Sequence, residues 1–179
     1  MQSRAGLSLL LVLCLRVTAQ YVPANDSSTV QFKIKNFGFD VSGSFGGLVG
    51  TIQFDPANIN SAQFDVSIDA NSINTGVEMR DNHLREFDYF DIKQYPRIHF
   101  ESTRLSAGKR GDYLIWGKLT IKNVTKEIDF PFRATAVPGG YRFAGSFSLN
   151  RKDFGIGGAS TISDKLDVSL EVLAKIVKK

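Results

Sequence analysis

The 179 residues contain one cysteine, two histidines and one tryptophan. The cysteine, Cys14, sits in an N-terminal segment that reads as a removable leader, so the mature chain has no thiol. This excludes disulfides, thiolate metal sites and a cysteine nucleophile. The histidines, His83 and His99, are not spaced i, i+4 on a helix, so the helical zinc-protease pattern is absent. Arg97, His99 and Glu101 alternate along one stretch, but one His and one carboxylate are too few for a metal site. After residue 15 no apolar run approaches eighteen residues, which excludes an integral membrane helix from the mature chain. No G-x-S-x-G elbow is present to carry a hydrolase serine. Gly155-Ile156-Gly157-Gly158 lacks the Lys-Ser/Thr of a phosphate loop and reads as a turn. The chain also lacks a basic stripe. Its net charge of +4 falls to +2 without Arg4 and Arg16, and the charges are interspersed, which argues against a nucleic-acid partner.

What is present begins with the leader. Arg4 lies in a short positive region, residues 7–15 (LSLLLVLCL) are apolar, and Val17-Thr18-Ala19 supplies small residues for cleavage before Gln20. The expected organisation is a signal peptide over 1–19 and one domain over 20–179, with a periplasmic or secreted location. A lipid-anchored form is disfavoured because Leu13 is bulky for the position before a modified cysteine.

The mature sequence is dominated by alternation and is rich in large rings, with fourteen Phe and five Tyr in the chain. Val30, Phe32 and Ile34 alternate with Gln31, Lys33 and Lys35. The same period runs through Phe64, Val66, Ile68 and Ala70, through Ile128, Phe130 and Phe132, and through Tyr141, Phe143, Gly145, Phe147 and Leu149. It is longest from Leu166 to Ile176. Residues two apart share a strand face, so each run has one apolar face. Further strands are expected over 43–55, 97–106 and 113–123, giving eight. Turn signals at Asp55-Pro56, 107–111 and Pro138-Gly139-Gly140 separate them, and the short links imply antiparallel neighbours. Eight strands with no helical layer must bury their apolar faces on one another. A closed barrel does so without leaving edges, and a sandwich is the alternative. The segment 75–91 breaks the alternation and predicts a short helix over about 81–87.

Several blocks resemble the YceI family. They are Ser72-Ile73-Asn74-Thr75-Gly76, Arg80-Asp81-Asn82-His83-Leu84, Phe90-Asp91-Ile92 and Tyr95-Pro96, then Phe100-Glu101-Ser102, then 117–126 (GKLTIKNVTK), then 150–156 (NRKDFGI). The similarity runs from about Val30 to Lys175. It implies an all-β, eight-stranded antiparallel lipocalin-like barrel with one short helix near one end. It also implies a polyisoprenoid or similar amphiphilic lipid in the lumen. Members are usually periplasmic or secreted, and several are linked to stress responses. Many members carry His where this chain has Asn36.

The expected lumen contacts are Phe32, Phe54, Phe64, Ile68, Phe100, Phe130, Phe132, Phe143 and Phe147. The alternative is that these rings fill a solid core. Arg80 and His83 are the candidates for a head group at the barrel mouth. The competing structural reading has Asp81 capping the short helix, with Arg80 or His83 tying a loop to a strand end. No catalytic constellation, cofactor or metal site is expected. Asp88 and Asp91 read as solvated loop carboxylates. The functional expectation is non-catalytic binding, sequestration or transport of a long-chain isoprenoid or similar lipid. The alternative class is a stress-induced envelope structural or protein-interaction module. A homodimer is left open.

Overall fold

The computed structural model describes residues 19–159 and 161–177, so the expected leader lies outside the described residues except for Ala19. The alternating runs become strands β1 (Gln20–Pro23), β2 (Thr29–Asn36), β3 (Phe39–Phe45), β4 (Val49–Gln53), β5 (Gln63–Asp69), β6 (Arg97–Ala107), β7 (Asp112–Ile121), β8 (Val124–Val137), β9 (Gly140–Asn150) and β10 (Ile162–Ile176), with one α-helix among the described residues, α1 (Glu78–Arg85). In β2, Val30, Phe32 and Ile34 turn inward while Gln31, Lys33 and Lys35 remain exposed.

The sheet order is β1-β4-β5-β6-β7-β8-β9-β10, and β10 pairs back to β1, closing a ring of eight antiparallel strands. β2 continues along the same edge of β10 as β1, and β3 pairs with β2 in the direction that β4 takes with β1. Thus β1 with β2, and β3 with β4, are two barrel strands each broken once. The breaks face each other. The Asn25 side chain accepts from Leu48 N at 2.9 Å, and Ala24 N donates to Leu173 O at 2.7 Å. These bonds serve backbone groups that the interrupted ladder leaves unpaired. The strand expected without interruption over 43–55 is therefore divided. Gly47 takes a left-handed φ of 63° at the break, a conformation that cannot continue a strand.

The helix begins three residues earlier than the sequence predicts, and Asp81 is not its cap. Val77 occupies the N-cap position without a side-chain bond. Asp81 is buried in the first turn instead, accepting from Thr75 N at 2.9 Å and from the Thr75 hydroxyl. The carboxylate thus fixes the chain entering the helix and sits where the helix dipole favours negative charge. Arg85 anchors the other end, donating to Asn71 O at 2.9 Å and Ile73 O at 3.0 Å.

Strand register puts the β2–β3 turn, α1, the β7–β8 turn and the β9–β10 connection at one end of the barrel. The interior holds two buried clusters. One, centred on Phe54, fills the opposite end. The other, with Leu119, Ile121, Phe154 and Ile156, lies beneath α1 and the β9–β10 connection.

Candidate functional site

Between the clusters lies a cavity of about 240 Å³. A space this size is far beyond a packing defect, since one water needs roughly 10–15 Å³ measured the same way. The cavity is apolar. Phe32, Ile68, Phe100, Phe130 and Phe147 form its wall with aliphatic residues such as Val30, Val168 and Leu170. Phe130 stacks on Phe147 at 4.7 Å and tilts against Phe100 at 5.7 Å.

The other four predicted rings stand apart from this wall. Phe54, Phe64, Phe132 and Phe143 are all buried in the cluster that closes the far end. Phe54 is its hub, meeting Tyr141 at 5.0 Å, Phe143 at 5.1 Å and Tyr113 at 5.3 Å edge-on. Rings two apart on one strand face, such as Phe130 and Phe132, thus divide between lumen and plug. Alternation gives the face of a side chain and not its height along the barrel. The plug also holds phenols. Burial raises the Tyr21 hydroxyl above its usual range, helped by the neighbouring Tyr141 and Asp55, and burial with Tyr141 does the same for Tyr113.

Two glycines let wall rings lie flat. A Cβ on Gly43 would stand 2.4 Å from the Phe32 ring, and one on Gly117 would stand 2.5 Å from the Phe100 ring. Real Cβ atoms do not approach so closely. A side chain at either position would push a ring into the lumen. Gly43 is the cross-strand partner of Phe32, so the missing Cβ and the flattened ring form one unit.

Polar groups gather where the cavity meets the helical end. Arg80 lines it, held by Nε to Thr75 Oγ1 at 2.7 Å and Nη2 to Thr75 O at 2.8 Å. Its Nη1 makes no hydrogen bond to a described residue, leaving donors for a polar group in the lumen. Asn36 also lines this region, and its Oδ1 accepts from Thr161 Oγ1 at 2.9 Å. His83 does not join them. It is exposed on α1, and its ring packs edge-on against Tyr89 at 4.9 Å.

Sequence reasoning did not single out Arg151 alone, yet it borders the cavity as a buried cation. Its guanidinium donates to the carbonyls of Ile156 (2.7 Å), Gly157 (3.0 Å), Ser163 (3.1 Å) and Ile162 (3.1 Å) and pairs with Asp164 at 3.2 Å. These bonds clamp the two sides of the β9–β10 connection. The available signal was a lone Arg beside a glycine-rich turn. Gly155, at φ 66°, closes the short helical turn Arg151–Phe154, as the turn reading expects.

Asp91 is buried rather than solvated, and its carbonyl accepts from Tyr95 N at 2.9 Å. Asp88 is exposed, and its carbonyl accepts from Gly157 N at 2.7 Å. Both therefore take part in building the loop. His99 Nε2 lies 2.8 Å from Asp65 Oδ1 in a solvent-facing pair.

A family model described as the YceI-like domain matches residues 21–174. A protein of Shewanella denitrificans named UPF0312 is 31% identical, with 94% of each chain covered. Among solved structures, Burkholderia cenocepacia BcnA shares the fold with a TM-score of 0.80 at 23% identity, covering 87% of this chain and 99% of its own. A polyisoprenoid binding domain from Saccharophagus degradans, implicated in plant cell wall breakdown, superposes with a TM-score of 0.69 at 18% identity, covering 90% of this chain and all of its own. The eight-stranded ring, the helix over one end and the match across 21–174 agree: this chain belongs to the YceI-like family.

Proposed function

We propose that the barrel binds one long-chain lipid, a polyisoprenoid or a similar amphiphile, and carries or sequesters it without chemical change. The observation that carries this reading is an apolar lumen of about 240 Å³ with Arg80 at its polar end. A hydrocarbon chain needs no hydrogen bonds, so an apolar tunnel suits it and area burial supplies the affinity. A phosphate or other polar head group would meet the unbonded Nη1 of Arg80. The S. degradans relative, a polyisoprenoid binding domain of the same fold, supports the ligand class. The N-terminal segment, residues 1–19, supports delivery to the periplasm or the exterior. The lumen-facing part of the site is Phe32, Ile68, Phe100, Phe130 and Phe147, while Phe54, Phe64, Phe132 and Phe143 act as its floor.

Native mass spectrometry of protein purified from its host's envelope tests the proposal. A single stoichiometric lipid mass, identified after extraction, is the expected result. A ligand-free mass together with failure to take up added polyprenols would overturn it.

A further inference from the structure

One stretch of the barrel wall has no ladder. β8 pairs with β7 from Ile121↔Val124 to Asp112↔Arg133. β9 pairs with β10 as far as Lys165↔Asn150. Between β8 and β9 themselves the register runs from Val137↔Gly140 only to Phe132↔Gly145 and stops. Residues 124–131 and 146–150 are thus each held on one side and have no strand partner across the seam.

Pro131 marks the point where the ladder ends. Its carbonyl oxygen lies 3.0 Å from where a Cβ on Gly145 would stand, so it points at β9. The N–H and C=O of a strand residue point to the same edge, so the N–H that proline lacks is missing on the β9 side. A proline within a sheet belongs at an edge or an irregularity. Pairing does not resume beyond it, at Asp129 and Ser148.

The parted seam joins the lumen to the outer surface. Phe130 and Phe147 stack across it just past the last pair, at 4.7 Å. Toward the helical end, Ile128 and Leu149 border both the lumen and an outer cleft of about 410 Å³. Lys126, Glu127, Asp153 and Lys165 also line this cleft. Their charges balance, so the cleft does not select an ion.

One ring closes the gap. The turn Arg151–Phe154 packs against β8, and Phe154 lines the cleft while almost wholly buried. Phe154 belongs to the apolar cluster with Leu119 and Ile121, against which Ile128 and Leu149 pack. Side-chain packing therefore seals the wall here. Rotating one side chain opens such a seal without breaking a backbone hydrogen bond, whereas parting a laddered seam breaks several. A barrel normally leaves no strand edge open. Here two edges lie open beside the ligand space, while the Phe54 cluster fills the far end.

We infer that the parted β8–β9 seam is a side entrance to the lumen, with Phe154 as its gate. The hydrocarbon chain of the lumen ligand slides in between Ile128 and Leu149, and its polar end passes through the open cleft. This role rests on the lumen-binding reading above.

Stopped-flow uptake of a fluorescent polyprenol tests it. The full chain is used as its host produces it, with Cys14→Ser so that only introduced thiols react. Glu127→Cys, in the cleft, and Met79→Cys, exposed on α1, are each labelled with a bulky maleimide. The label at Glu127→Cys should slow loading and release alike, at least about tenfold, and leave the equilibrium affinity unchanged. The label at Met79→Cys should change neither rate. Phe154→Ala should load and release at least about threefold faster. Phe154 is buried, so the labelled Glu127→Cys protein, altered at an exposed site, decides the matter if Phe154→Ala does not fold. Loading slowed by the label at Met79→Cys and not by the label at Glu127→Cys would overturn the entrance and place it at the α1 end. Unchanged rates in both labelled proteins would overturn it too. So would an affinity that falls as far as the loading rate, since the cleft would then hold the bound ligand. In each of these cases the lumen reading survives. No equilibrium uptake by the unlabelled protein would overturn the lumen reading itself, and the entrance with it.

Discussion

At the scale of single residues, Phe54, Gly43 and Arg80 separate three tasks. Phe54 touches five other rings and is almost wholly buried. Phe54→Ala removes the centre of the plug and is expected to cost about 3–5 kcal/mol in chemical denaturation. Gly43→Ala acts on the lumen instead. Its methyl displaces the Phe32 ring, so lipid capacity should fall in a competition assay with a fluorescent polyprenol. The stability cost should be smaller, at about 1–3 kcal/mol for overpacking. Arg80→Ala tests the head-group role. A phosphorylated lipid should bind about tenfold or more weakly, corresponding to the loss of a charge-assisted hydrogen bond. A head-group-free polyprenol should bind equally well to both proteins. Equal loss for both ligands would return Arg80 to a purely structural role through Thr75.

Among the elements, the β9–β10 connection depends most on one side chain. Arg151 satisfies carbonyls on both sides of a glycine-rich stretch. Arg151→Met keeps the apolar volume but leaves those carbonyls without their donor. It is expected to destabilise the protein by about 2–4 kcal/mol. Hydrogen exchange over 156–164 should accelerate more than exchange over β7 and β8. Uniform acceleration across the barrel would show that Arg151 supports the whole fold and not this connection. The β2–β3 turn is held differently. Lys35 bonds Asp40 at 3.0 Å, and that contact keeps the Asp40 carboxyl below its usual range. The pair is exposed, so its contribution is present above the usual carboxylate pKa and is lost as pH falls through the lowered value.

For the whole molecule, closure and plugging set the pH response at the alkaline side. Tyr21 and Tyr113 have pKa values raised above the usual phenol value because burial opposes their charged forms. A folded pKa above the unfolded one means that stability is fully present below about 10 and is lost as pH rises through the folded values. The protein should therefore unfold in alkali with a midpoint that rises in Tyr21→Phe/Tyr113→Phe, followed by circular dichroism. An unmoved midpoint would place the alkaline weakness outside the plug. The ring of eight strands leaves β1 and β10 paired, so the main barrel presents no free edge at that seam.

The sequence by itself determined an all-β class, because a period of two over five runs, with three further strands between turn signals, leaves strands with one apolar face that must pack on one another. It also located the helical excursion. The blocks around Arg80 and Arg151 marked the family without showing what either arginine does. Tertiary structure decided that Arg80 borders the lumen while His83, three residues on and on nearly the same helix face, stays exposed, because Thr75 holds the Arg80 guanidinium and Tyr89 takes the His83 ring. It likewise placed Phe130 on the lumen wall and Phe132 in the plug. It moved Asp81 from an expected cap to a buried partner of Thr75. Local pattern fixes which face of an element a side chain occupies. Only the closure of the barrel fixes the height, the neighbours and the empty space that the side chain meets.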